Sequence, residues 1–427
     1  MAVNPSPRRV RVLVPLALPE PYDYALPDGM EAGVGAFVVV PLGAQRLTGV
    51  VWGAGEGELG FDAKRLKAVI EVMDAPPMSD VLRQFIDWMA QYTFNTRGQV
   101  LRLAMRAPAA LEPARLRLAY RLTDKRPARM TPARERVVEY VGDGFLRTIR
   151  EIADEAGVSD GVVRGLVEAG ALSAVEMPAD ADFPVVEFEA HGEALSDEQQ
   201  AAADILSARV AAKKYAAVLL DGVTGSGKTE VYFEAVAEAL RQGRQALILL
   251  PEIALTSQFL TRFEARFGVK PAEWHSELST RERARVWRGV AEGRARVVVG
   301  ARSALFLPFS DLGLIVVDEE HEAAFKQDEG VNYHARDMAV VRASLGGFPI
   351  VLSSATPSLE TVVNVEQGRY ERVALTERHG VAEMPDISAI DMRSDPPERG
   401  QWLAPKLVAE IAKAFAAGEQ SMLFLNR

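Results

Sequence analysis

The sequence predicts a multidomain protein: a small β-rich domain, then a winged helix, then an α/β phosphate-loop lobe built on a parallel sheet. Three observations carry this. The 427 residues are enough for about three domains. From residue 216 the short apolar runs AAVLLD, QALILLPE, ARVVVGA, LGLIVVDEE and FPIVLSSA alternate with helix-like stretches, the pattern of a parallel sheet with helices on both faces and its ligand at the C-terminal strand ends. Between the first of these runs and TEVYFEAVAEALRQG stands GVTGSGKT, residues 222 to 229, whose spacing is that of a phosphate-binding loop opening a helix.

The first segment, residues 1–108, has short alternating runs (VRVLVPLAL, GAFVVVPLG, RLTGVVWG) separated by Pro- and Gly-rich turns, which predicts a small barrel or sheet. A helix over 79–93 follows, with Ser79 as its N-cap. The apolar stretch VLVPLAL is too short and too proline-interrupted to span a membrane, and no small-residue cleavage site follows it; no membrane partner and a cytoplasmic location are expected. With no cysteine, neither a disulfide nor a thiolate zinc site can form. His191, His275, His321, His334 and His379 are scattered without metal-ligand pairing.

A net charge of −10 argues weakly against a protein that coats nucleic acid, but its distribution is uneven. Arg97, Arg102, Arg106, Arg115, Arg117, Arg121, Lys125, Arg126, Arg129, Arg134 and Arg136 face only Glu112, Asp124 and Glu135 within one stretch. That stretch runs into a second unit, residues 112–178. There a helix starting at Thr131-Pro132 precedes a helix, a turn containing Gly157, a second helix and a short β pair after Gly170, the winged form of helix-turn-helix. Residues 179–194 are polar, acidic and proline-containing, and read as a linker.

In the third unit, residues 195–375, Gly222, Thr224, Gly225, Ser226 and Gly227 shape a turn whose N–H groups converge on phosphate oxygens. Lys228 supplies charge and Thr229 a Mg²⁺ ligand. Glycine is required where a Cβ would block that approach. LGLIVVDEEH delivers carboxylates to the same sheet edge: Asp318 to hold Mg²⁺, through water, and Glu319 to orient and deprotonate the attacking water. Gln199 is placed to read an adenine edge. Thr256, Arg302 and Ser303 sit in loops at strand ends where they would touch a sugar-phosphate backbone. Ser354 and Thr356, with His321, are candidates for coupling hydrolysis to strand movement.

The order of GVTGSGKTEVY, LLPEIALTSQ, DEEHEAAFKQ…YHARD and SSATPSLE closely resembles the PriA family (primosomal protein N′), replication-restart helicases of superfamily 2. The resemblance covers essentially the whole chain and implies a RecA-like helicase lobe. It implies that the loop after DEEH contacts DNA through Phe325, Lys326, Tyr333, His334 and Arg336, and that a pocket for a leading-strand 3′ end lies at Tyr22, Asp23, Gly43 and Lys67. A carboxylate such as Asp23 would accept the 3′-hydroxyl proton and repel a phosphate, and Tyr22 offers a stacking face. The implied cofactors are ATP and Mg²⁺. The implied partners are forked and single-stranded DNA, single-stranded DNA-binding protein and primosome proteins, acting on a monomer.

Family members continue into a cysteine-rich zinc-binding insertion and the rest of a second lobe, so the chain reads as a fragment. Residues 376–427 are then only the start of lobe two, and zinc is expected only in the missing part. Without the arginines of that lobe, hydrolysis is expected to be at least ~10³-fold slower than in a completed chain. The function implied is an ATP-dependent 3′→5′ DNA helicase for fork recognition and replication restart. The alternative is a fork-binding loading scaffold that ATP merely switches. A small-molecule kinase is disfavoured, because SSATPSLE and the loop after DEEH would have no purpose in it.

Overall fold

The computed structural model describes residues 8–55, 66–113, 116–178, 182–189, 192–251, 257–377, 386–398 and 400–424. Arg115, His191, Thr256 and His379, singled out above, lie outside them. The chain divides into two compact units, Met1–Arg378 and His379–Arg427.

The N-terminal part is a five-stranded antiparallel sheet of β1 (Arg9–Leu13), β2 (Tyr22–Ala25), β3 (Phe37–Leu42), β4 (Gln45–Ala54) and β5 (Glu71–Val72), in the order β2-β1-β4-β3-β5. Residues 67–70 tie its two edges together. Ala25 N–H donates to Lys67 O, Val69 N–H to Ala25 O and Ile70 N–H to Val39 O, so the sheet closes into a small barrel and leaves no open edge there. Alternation along the strands turns Val10, Val12, Tyr24, Val38 and Val40 into its interior. Two helices follow, α1 (Asp80–Tyr92) and α2 (Arg97–Ala104). Ser79 caps the first, and a Thr96/Gln99 capping box closes the second.

The next unit consists of β6 (Leu116–Leu122), α3 (Pro132–Val141), α4 (Ile149–Glu155), α5 (Asp160–Glu168) and β7 (Leu172–Pro178). Its helices share a core of Val137, Val141, Ile152, Val163 and Leu166. In place of a β pair after Gly170, β7 pairs along its length with β6, a strand inside the basic stretch whose alternation LRLAYRL is visible in the sequence. The basic stretch is thereby divided: Arg97 bonds Glu20 and Asp87, Arg117 pairs with Glu151, and Arg136 donates to Ala156 O.

The largest layer holds α6 (Asp197–Ala211), β8 (Ala217–Gly222), α7 (Lys228–Arg241), β9 (Gln245–Leu249), α8 (Ser257–Phe267), β10 (Ala272–Trp274), α9 (Thr280–Ala291), β11 (Val297–Gly300), β12 (Leu312–Asp318), the hairpin β13 (Lys326–Gln327) and β14 (Tyr333–His334), α10 (Ala335–Gly346), β15 (Ile350–Ser354), α11 (Leu359–Glu366) and β16 (Glu371–Leu375). Seven strands form one all-parallel sheet, β10-β11-β9-β12-β15-β8-β16, the α/β architecture read from the sequence. Both faces are covered. Val218 and Leu220 pack with α6 and α7, while Leu219, Leu247 and Leu249 face α9 and α10.

The second of these clusters runs without a break into Leu13, Phe37 and Phe85 of the N-terminal part. Trp287 of α9 is the joint: its ring meets Phe37 edge-on at 5.6 Å, and its indole N–H donates to Ala104 O at 3.1 Å. Arg288 adds bonds to Glu112 O and Asp74 O. The second unit contributes α12 (Pro405–Ala416), none of whose residues is buried.

Candidate functional site

The nucleotide-phosphate site forms where β8, β15 and β12 end together. Across β15, Asp318 is in register with Ser353, and Ser354 with Asp221, the residue before Gly222. The loop turns through Gly225 at φ +83° and Gly227 at φ +78°, a region costly for residues with a Cβ. A Cβ on Gly227 would also lie 2.3 Å from Gln199 Nε2. Lys228, only 8 % exposed, donates from Nζ to Gly222 O at 2.7 Å, so its ammonium is held over the loop mouth. Ser226 Oγ is buried among the loop atoms and bonded to no group among the described residues, which fits a loop whose polar groups would meet phosphate oxygens.

Asp318 is oriented from three sides. It accepts from Tyr232 O–H (2.9 Å), Ser353 O–H (2.7 Å) and the Glu319 N–H (3.1 Å). Burial together with the Asp318 charge drives the Tyr232 phenol far above the ordinary value. Tyr232 thus fixes Asp318 from a position one turn along α7 from Thr229, the other expected metal ligand. Sequence reasoning passed over it and Ser353; the signal for Tyr232 was its position three residues after Thr229. Thr229 and Asp318 are hard oxygen donors suited to a divalent metal that keeps several waters. Among the described residues, no group of three His, Asp or Glu side chains forms a separate metal cluster.

Glu319 adopts φ +50°, a strain of about 1–3 kcal/mol for a non-glycine residue that aims its side chain away from the strand. Burial and the neighbouring Asp318 charge raise its pKa, opposed by Lys228 and His321. His321 Nδ1 lies 2.7 Å from Ser354 Oγ, and Ser354 Oγ accepts from Thr356 N–H at 3.1 Å. The three residues named for coupling thus form one chain of contacts.

Several expectations are corrected. Gln199 does not present its amide to a base edge: it is 5 % exposed, its Oε1 accepts from Ser196 N–H, and its Nε2 donates to Ser226 O. It clamps the phosphate loop to the start of α6. Phe325, Tyr333 and Arg336 are buried at 1 %, 5 % and 5 % exposure and offer no surface to DNA. Tyr333 packs edge-on against Phe306 at 5.5 Å. Arg336 Nη1 bonds Glu320 Oε2 at 3.1 Å, and this carboxylate, itself 0 % exposed, also accepts from Ser358 N–H, Ser358 O–H and Thr361 O–H. His334 is half-buried, and burial and Arg336 lower its pKa. Lys326 remains exposed, beside Asp328, and Arg302 donates to Ala324 O and Lys326 O.

In the N-terminal barrel Tyr22 is exposed and Lys67 Nζ reaches Gly43 O at 3.5 Å. Asp23 sits beside Arg9, 3.9 Å away. Gly43 occupies the β3–β4 turn at φ +61°, where the open backbone needs glycine.

A parallel sheet carrying this loop and this carboxylate strand defines the class: residues 196–365 match the DEAD/DEAH box helicase family, whose members use ATP with a divalent metal. Residues 11–106 match the 3′DNA-binding domain (3′BD) family. The chain is 33 % identical over 422 residues to the replication restart protein PriA of Rickettsia conorii, covering 98 % of this chain and 54 % of that one. It is 42 % identical over 234 residues to that of Bacillus subtilis, covering 55 % and 29 %. The chain belongs to the PriA family and spans about half the length of the Rickettsia relative. RecG bound to a three-way DNA junction superposes with a TM-score of 0.35 at 20 % identity over 46 % of this chain and 25 % of that one, too loosely to extend to function. No helix among the described residues is long and apolar enough to cross a membrane.

Proposed function

We propose that this chain supplies the ATP-binding lobe and DNA-end-binding domain of an ATP-dependent 3′→5′ DNA helicase that recognises stalled or restarted replication forks and initiates primosome assembly. The observation that carries the reading is the convergence of Lys228, Thr229, Tyr232, Asp318 and Glu319 at the adjoining ends of β8 and β12. Thr229 and Asp318 would hold Mg²⁺, which when bound neutralises charge developing on the transferred phosphoryl group. The loop N–H groups and Lys228 bind and orient the phosphates, and Glu319, its pKa raised, is suited to take a proton from water near neutral pH. His321 and Ser354 pass a change at Glu319 to the end of β15.

The family relation also supports a division into a 3′-end-binding domain (1–108) with Tyr22, Asp23, Gly43 and Lys67 at the end pocket, a winged helix (112–178), a linker (179–194), lobe one (195–375) and the start of lobe two (376–427). It further supports a cytoplasmic monomer that works with single-stranded DNA-binding protein and primosome proteins.

Lys228→Ala in the longest form of the protein tests the motor reading. If DNA binding persists while DNA-stimulated hydrolysis and fork restart fail, the motor carries the function. Restart that survives the change would favour the ATP-switched loading scaffold.

A further inference from the structure

Along α10 the buried positions include Ala335, Met338, Ala339, Arg342 and Ala343, the i, i+3, i+4, i+7, i+8 stripe that a helix turns toward a core. Alanine and methionine fit that stripe; Arg342 does not. It is 2 % exposed where the pattern calls for another apolar side chain, and a buried charge without a counter-ion is strongly disfavoured. No carboxylate among the described residues bonds it. Burial pulls its pKa down to about 9, which still leaves it charged at neutral pH.

Its hydrogen bonds go to backbone instead. Nη1 donates to Leu305 O and Nη2 to Leu307 O, the latter at 2.8 Å, and the guanidinium lies 5.4 Å from the centre of the Phe309 ring. Nε has no partner among the described residues. Both carbonyls stand at the C-terminal end of the helical turn Arg302–Phe306, where acceptors find no donor within the turn itself, and Pro308, three residues after Leu305, has no N–H to offer. A planar fork that spans two carbonyls fixes direction as well as position, which neither an apolar side chain nor an ammonium reproduces.

The turn so held is a junction. At its start Arg302 donates to Ala324 O and Lys326 O of the loop after DEEH. At its end Phe306 stands between Phe85 of α1, with ring centres 5.7 Å apart, and Tyr333 at 5.5 Å. We infer that Arg342 is a positioning residue for DNA-stimulated hydrolysis: from within α10 it sets the angle of the turn Arg302–Phe306, and with it the approach of Arg302 to DNA, while touching neither DNA nor nucleotide. The inference rests on the DNA-helicase reading and deepens it, since no motif marks Arg342.

The test is ATP hydrolysis by the longest form of the protein, titrated with oligothymidylate, alongside thermal midpoints. The parent is compared with Arg342→Met, Arg342→Lys, Arg302→Gln, and each Arg342 variant combined with Arg302→Gln. Arg342→Met is expected to keep a midpoint close to the parent's, because relief of an unpaired buried charge offsets the lost carbonyl bonds. The DNA concentration for half-maximal stimulation should rise about tenfold, the loss of one charge-assisted contact. Arg342→Lys should recover little of that, and the double variant should stay close to Arg302→Gln alone, because the two changes act through one contact. A lowered midpoint with an unchanged half-stimulating concentration makes the arginine purely structural and overturns the inference, as does an additive double variant. If Arg342→Met does not fold, Arg342→Lys, alone and with Arg302→Gln, carries the comparison; failure of both to fold makes the residue a folding requirement and likewise overturns the inference. Absence of any DNA stimulation in the parent overturns the helicase reading along with it.

Discussion

Replacing Glu320 by alanine removes the acceptor at the centre of the buried network between the carboxylate strand and α11. The lost partners are Arg336 Nη1 at 3.1 Å, Ser358 N–H at 2.7 Å and Thr361 O–H at 2.9 Å. Breaking a buried ion pair from one side costs about 3–5 kcal/mol, because the other charge stays behind. Asp337, 2.7 Å from Arg336 Nε, and the exposed Glu360 at 3.9 Å compensate part of that charge, which places the loss near the lower end, about 3 kcal/mol. Removing both partners is milder, since no buried charge is left without its partner, although Ser358 N–H and Thr361 O–H still lose their acceptor. Glu320→Ala with Arg336→Met should therefore recover most of the loss, giving a coupling of about 2 kcal/mol in a double-mutant cycle. Urea denaturation followed by tryptophan fluorescence, with Trp274 and Trp287 both in this lobe, reads the four stabilities. A single variant within about 0.5 kcal/mol of the parent, or a double variant no better than Glu320→Ala, would refute the buried-pair account. Reduced DNA affinity in Arg336→Met at unchanged stability would restore Arg336 as a DNA contact.

Two further outcomes are expected. The folded-state pKa of Glu319 is raised, so its protonated form favours folding, an advantage fully present below the unfolded value of about 4.3 and lost as pH rises through the folded one. Glu319→Gln should accordingly match the parent in acid and become the more stable protein as pH rises, while losing hydrolysis; a stability difference independent of pH would contradict the raised pKa. In the N-terminal barrel, Asp23→Asn should abolish any preference for a fork whose leading strand ends in a 3′ hydroxyl over a matched fork ending in 3′ phosphate, measured by competition. Full discrimination by the variant would remove Asp23 from the end pocket.

What the sequence made legible follows the range of the interactions involved. Lys228 and Thr229 lie within a local turn, and Asp318 and Ser354 end apolar strands, so strand pattern and spacing alone placed them at one sheet edge. Gln199 was misread because an amide near a phosphate loop has the same local pattern whether it faces a base or the loop carbonyl at Ser226, and only the packing of α6 decides. Phe325 and Tyr333 were misread for a similar reason. An aromatic in a polar loop looks available until Phe306, nearly thirty residues earlier in the chain, is found filling the space beside it. The pairing of β6 with β7 spans some fifty residues, and nothing local announces a partner at that distance. Glu320 stood inside the DEEH run without an assigned role, hidden by two neighbours with more familiar chemistry.

The burial of these aromatics changes how the loop after DEEH can work. Arg302 hangs from the carbonyls of Ala324 and Lys326, and the helical turn that follows it places Phe306 against Tyr333. At the other end the same loop begins at Glu319–His321, which touches Ser354. Arg302 and the exposed Lys326 are therefore joined to the carboxylates at the phosphate loop by a short run of packed side chains in which, among the described residues, Phe306, Phe325 and Tyr333 are all buried. Any influence of bound DNA on Glu319 has to pass as displacement of this packed loop, because Phe325, Tyr333 and Arg336 have no exposed face on which a base could stack. A strained residue at φ +50° at one end of such a run responds to small shifts, since relaxing it changes both the aim and the burial of the Glu319 carboxylate.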